Sequence, residues 1–147
     1  MRVTAKADYA VRAAVELAAA GEGPVKGEAI SSAQEISLRF LETILAELRH
    51  AGIVRSQRGA EGGYWLARPA SEISVADVIR AVEGPLASVR SEPAEELAYQ
   101  GSAVPLREVW LALRVNIRVV LESVTLADVV AAKLPAEVTG LLDSGAR

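Results

Sequence analysis

The chain contains no cysteine. That absence excludes disulfides, thiolate nucleophiles, cysteine-ligated zinc and any iron–sulfur cluster held by the chain's own thiolates. His50 is the only histidine, which removes histidine-rich metal sites and histidine-dependent triads. No metal or other cofactor is expected. Aromatics are scarce, six in 147 residues, whereas a nucleic-acid stacking surface clusters them. Trp65 and Trp110 are therefore read as packing residues. No apolar run approaches the roughly 20 residues of a membrane span. The first residues, Met-Arg-Val-Thr-Ala-Lys-Ala-Asp-Tyr, carry Asp8 and no apolar stretch, unlike a secretory leader. A cytoplasmic protein is the expectation.

What is present is the balance of one globular domain with a short appendage: 51% apolar and 24% charged residues. A chain of this size buries roughly two-thirds of its unfolded surface, so it needs no staple to fold. The net charge of −3 hides an asymmetry. Residues 1–68 hold nine Lys/Arg against eight Asp/Glu, and residues 69–147 hold seven against eleven. Nucleic-acid binding needs only a local basic patch, so the acidic total does not veto it. It does argue against indiscriminate, charge-driven binding.

Thr4 can cap a first helix that runs to about Ala20, with Tyr9, Ala13, Leu17 and Ala20 on one face and Gly21 at its end. A short second helix is read from Gly27 to Gln34. Ser37 precedes a strongly periodic third helix: Leu38, Leu41, Ile44, Leu45 and Leu48 line one side, and Arg39, Glu42, Thr43, Ala46 and Arg49 the other. Ile53–Gln57 and Tyr64–Arg68 are strand-like around the turn Arg58-Gly-Ala-Glu-Gly-Gly63. Ser74-Val-Ala-Asp77 is a capping box for a fourth helix ending at Glu83. Residues 84–103 are weakly patterned and polar, with a short strand expected at Leu86–Val89. A long helix from about Pro105 to Val124 follows, and Thr125-Leu-Ala-Asp128 restarts a last short one that Pro135 ends. Residues 141–147 read as a frayed tail. Three helices followed by a hairpin is the winged helix-turn-helix order; a small helical bundle with an incidental hairpin fits the pattern as well.

A recognition helix shows polar side chains to base edges in a major groove about 12 Å wide. Ser37, Arg39, Glu42 and Thr43 are the candidates: Arg39 for guanine or a phosphate, Glu42 for cytosine N4. The plain alternative is an N-cap followed by a solvated face. The hairpin turn places Arg58 at a tip whose glycines, Gly59, Gly62 and Gly63, let backbone approach another surface. A narrow minor groove attracts such an arginine. Arg55 and Arg68 on the flanking strands would hold phosphates, and Tyr64 is either a phosphate contact or a wing-packing residue. The turn is no phosphate-binding loop, since it leads into a strand and lacks the lysine-serine end. On the long helix, Leu106, Trp110, Leu113, Ile117, Val120, Leu121 and Val124 form a stripe with the spacing of a dimer seam, more than a small head covers. The alternative is that the stripe folds back on its own domain. No carboxylate pair or nucleophile elbow supports an enzyme.

Several stretches match one known family. Thr4-Ala-Lys-Ala-Asp-Tyr-Ala-Val-Arg-Ala, Ile36-Ser-Leu-Arg-Phe-Leu-Glu, the run from Leu48 to Pro69, Ile73 to Leu86 and Thr125-Leu-Ala-Asp-Val resemble the Rrf-two (IscR-type) bacterial transcriptional regulators. The resemblance spans residues 1 to about 133. It implies a dimeric winged-helix DNA binder, usually a repressor, whose long helix crosses to its partner. By position it puts Ser37, Arg39, Phe40 and Glu42 on the recognition helix, and Ser56, Arg58, Gly59, Gly62 and Gly63 on the wing. Cluster-bearing members carry three cysteines between the fourth helix and the long helix; here Arg90 to Pro105 has none. The glutamates Glu92, Glu95 and Glu96 are hard oxygen donors that cannot replace them. The family also has cluster-free members, one controlled by a partner enzyme.

The expectation is a mainly α protein with one β-hairpin: a winged-helix head at 1–83, a linker or sensor loop at 84–103, a dimerisation helix and short terminal helix at 104–134, and a tail at 135–147. It binds double-stranded DNA as a homodimeric repressor on a palindromic operator, with a small-molecule effector or partner protein as the open control. The rival reading is a winged-helix adaptor that binds protein and has lost DNA.

Overall fold

In a computed structural model that describes residues 1–145, Thr4 starts the fold. Its Oγ1 accepts from the Ala7 N–H at 3.1 Å and caps α1 (Ala5–Ala20). The buried face of α1 is Ala7, Ala10, Ala13, Ala14 and Leu17. Tyr9 is only half-buried and Ala20 is exposed, so the face is rotated from the one expected. The reason is packing: a face of alanines lets α3, α4 and α6 approach α1 closely, and the small side wins the interior.

Helix α2 (Gly27–Gln34) meets α3 (Leu38–His50) through Glu35, held at φ +53°. The Ser31 hydroxyl donates to the Ile36 carbonyl at 2.5 Å and secures the turn. On α3, Leu41, Ile44, Leu45 and Leu48 are buried. Arg39, Glu42, Thr43 and Arg49 are exposed on the other side, as the period demands. Strands β1 (Val54–Gln57) and β2 (Gly63–Leu66) pair antiparallel, Val54 with Leu66 and Gln57 with Gly63. Val25 adds a third edge: its N–H and carbonyl exchange 2.8 Å bonds with Tyr64. Helix α4 (Val75–Glu83) opens on a complete capping box between Ser74 and Asp77, both bonds 3.0 Å.

The segment after α4 departs from expectation. No strand forms at 86–89. Val89 and Glu92 instead exchange two backbone bonds of 3.0 and 2.9 Å around Arg90 and Ser91, both at positive φ. The polar stretch is not a free linker, because Ala94 and Leu97 within it are buried. It lies against α5 (Leu106–Ser123), where Trp110 Nε1 donates to Tyr99 Oη at 2.7 Å and Arg114 pairs with Glu95.

After α5 the chain returns to the head. The Val75 N–H donates to the Val124 carbonyl and the Leu126 N–H to the Ile73 carbonyl, both at 2.9 Å. Helix α6 (Leu126–Val130) thereby inserts Leu126 into the same core as Leu17, Leu45 and Ile73. A head ending at residue 83 leaves α6 out; the core needs it to cover α1. The expected tail is also corrected. Residues Ala136–Gly145 form α7, entered from Pro135, which begins this helix and does not close the preceding one. The remaining part of the tail, residues 146–147, lies outside the described residues.

Candidate nucleic-acid interface

Helix α3 and the hairpin meet along a groove of about 330 Å³. One wall is α3, with Glu42 and Arg49; the other is the hairpin, with Ser56, Gln57, Arg58 and Gly59; Lys26 and Glu28 from the start of α2 close one end. Strand alternation decides which side chains enter it. Val54 and Ser56 point towards α3, and Arg49 Nη1 reaches Ser56 Oγ at 3.3 Å. Arg55 leaves on the opposite face, opposite Trp65. Arg68 bonds the Glu72 carbonyl at 3.2 Å, away from the tip. Of the hairpin arginines, only Arg58 stands at the tip, exposed and without an ion-pair partner among the described residues.

The structure brings together Arg39, Glu42, Thr43 and Arg49 on the exposed face of α3. Ser37 is the N-cap of that helix but makes no side-chain capping bond. The Thr43 hydroxyl donates to the Arg39 carbonyl at 3.3 Å. Phe40 belongs elsewhere: its ring meets Tyr9 edge-on with centroids 5.6 Å apart, and it packs against the core between α1 and α3. The structure thus gives it a packing role.

Gly62 and Gly63 also have an internal duty. Both are buried. A Cβ on Gly62 would lie 2.0 Å from the Gln57 carbonyl oxygen, and one on Gly63 would lie 2.6 Å from that of Val25. The tight fold of the wing by itself requires glycine at both positions. Gly59 alone is exposed at the tip, with φ +100°. Tyr64 is half-buried beside Gly27 and packs against the core. Lys26 and Gln57 are groove residues that sequence reasoning missed. Lys26 is 33 positions from Gly59, and no local spacing joins them.

On the dimer stripe, Trp110, Leu113, Ile117, Val120 and Leu121 are half-buried against their own chain, whereas Leu106 is 40% exposed. Val124 is withdrawn from the stripe: it is 7% exposed, anchored beside α4. The more open apolar residues are Val109, Val115 and Val119, which are 52%, 56% and 46% exposed.

A polar helix face beside an arginine-tipped hairpin, carried on three helices, defines the class: a winged helix-turn-helix DNA-binding protein. Within that class the chain belongs to the Rrf2 family, described as iron-dependent transcriptional regulators, whose model matches residues 3–132. A Mycobacterium tuberculosis protein named as an HTH-type transcriptional regulator is 53% identical over 144 residues, covering 97% of this chain and 89% of that protein. The structure of CymR, the global cysteine regulator of B. subtilis, is 34% identical with a TM-score of 0.77, covering 90% of this chain and 98% of that one. The structure of T. potens IscR is 39% identical with a TM-score of 0.73, covering 90% and 88%. The chain is thus a DNA-binding transcriptional regulator, in a family of regulators and not of enzymes.

The family's iron dependence does not fit these residues. There is no thiolate in the sequence, and no three His, Asp or Glu side chains gather into a metal-holding group among the described residues. No helix among the described residues is long and apolar enough to cross a membrane.

Proposed function

We propose that the protein is a cytoplasmic, homodimeric repressor that binds a palindromic operator without an iron–sulfur cluster. The observation that carries the reading is the shared groove. Arg39, Glu42 and Thr43 on α3 face a duplex as major-groove readers while Arg58 enters the adjoining minor groove. Arg49 and Ser56 brace the wing against α3, and Ser37 and Arg55 sit at the margins as phosphate contacts. Two such heads, joined through the open residues of α5, present paired helices to two half-sites. The absence of cysteine supports control by a small molecule or a partner protein at the 84–103 segment, where Tyr99 and Glu95 hold it to α5.

The test is fluorescence polarisation with duplexes from the promoter upstream of the protein's own coding sequence. Two chains per duplex are expected, with affinity that falls as salt rises. Arg58→Ala should weaken operator binding at least about tenfold, while Lys133→Ala, after α6 and outside the groove lining, leaves it unchanged. Undiminished affinity in the Arg58 variant overturns the wing assignment. Failure of the native chain to shift any duplex at low salt favours the protein-binding adaptor.

A further inference from the structure

We propose that Lys26 is a positioning residue for operator recognition, a tether that fixes the tilt of the wing so that Arg58 and α3 engage one duplex together. The inference rests on the operator reading above. Lys26 is the N-cap residue of α2, yet its side chain caps nothing. Its Nζ instead spans the groove and donates to the Gly59 carbonyl at 2.7 Å. That same carbonyl accepts from the Gly62 N–H at 3.1 Å, which closes the tip turn.

The tip has little else to hold it. A Cβ built on Gly59 meets nothing within 4 Å, so no packing fixes its direction. The wing's other restraints lie lower down: the Val25–Tyr64 backbone bonds at its base and the Arg49–Ser56 contact at its middle. A two-stranded ribbon is marginal alone and twists easily. Val25 and Lys26 are consecutive, so one short segment grips the wing at its base through backbone and at its tip through an ammonium. Swinging the tip moves Arg58, the next residue before Gly59, relative to Arg39 and Glu42. A wing free to swing still meets phosphates on any sequence, but it reaches the minor groove beside a specific half-site less often.

The experiment measures affinity for operator and for unrelated duplex in the native chain, Lys26→Met, Lys26→Arg, Arg58→Ala and the Lys26→Met/Arg58→Ala double variant. Lys26→Met should lower operator affinity about tenfold and lower binding to unrelated duplex by a distinctly smaller factor. In the Arg58→Ala background the same change should cost less than about twofold, because the two residues act through one element. Lys26→Arg, which keeps a cationic donor, should recover most of the loss. An equal loss on both duplexes and in both backgrounds overturns the proposal and makes Lys26 an independent phosphate contact. Amide exchange in the DNA-free protein provides a second arm. The Gly62 N–H should exchange several-fold faster in Lys26→Met, and unchanged exchange overturns the tether even if no duplex binds. Failure of the native chain to bind DNA, with Gly62 exchange accelerated, instead sinks the operator reading and leaves the tether standing.

Discussion

An alanine methyl at Gly62 would sit 2.0 Å from the Gln57 carbonyl oxygen, whereas one at Gly59 would meet nothing within 4 Å and only disfavours φ +100°. The first collision is with backbone and has no rotamer to relieve it; the second costs on the order of 1–2 kcal/mol of local strain. Gly62→Ala should therefore disrupt the wing and abolish specific binding, with the core of Leu41, Ile44 and Leu48 still folded. Gly59→Ala should bind with a modest loss. Circular dichroism melts together with operator titrations check this, and equal behaviour of the two variants would contradict it. Both glycines were legible as wing residues from the turn pattern, but their different duties were not. The clash partner of Gly62 is a carbonyl that only the closed turn brings near. Phe40 teaches the same point: on the helix period it stands beside Arg39, and only the neighbouring Tyr9 ring of α1 draws it inward.

Helix α5 is weakly secured by burial, since none of its residues is fully buried. Polar ties take over that duty. Glu122 on α5 receives the Arg80 guanidinium of α4 and, at 3.0 Å, Arg118 Nε one turn earlier. The hydrogen bond from Arg80, then that from Arg118, holds the Glu122 carboxyl below its ordinary value of 4.5. A carboxyl lowered in the folded state supports the fold fully above its unfolded pKa, and that support is lost as pH falls through the lowered folded value. The Tm difference between the native chain and Glu122→Gln should be constant near neutrality and shrink below about pH 4.5. A difference that persists to pH 2 would contradict the tie. The capping boxes at Ser74 and Thr125 were readable because their bonds are local, within three residues. The packing of residues 91–103 was not, because the turn Ala94–Glu96 finds its partners on α5, which begins further along the chain.

At the scale of the whole molecule, the open valines of α5 carry the dimer proposal. Val115 and Val119 are 56% and 46% exposed and one turn apart, and an uncovered apolar row on a long helix marks an interface. Val115→Glu with Val119→Glu should shift the protein from dimer to monomer by light scattering. Each head alone should then bind a half-site weakly, since linking the two heads raises the effective concentration of the second. A double variant that stays dimeric would place the interface elsewhere. The sequence alone determined the element order from α1 to α4, the buried face of α3, the capped starts at Thr4, Ser74 and Thr125 and the lack of thiolate ligands, because period, capping and donor chemistry are local properties of the chain. The tertiary structure alone decided that α6 completes the head, that Phe40, Gly62 and Gly63 serve the interior, and that Lys26 reaches the wing tip. Apart from Gly62, whose clash lies within its own turn, those outcomes join residues far apart in the chain, and only the folded structure brings them within contact distance.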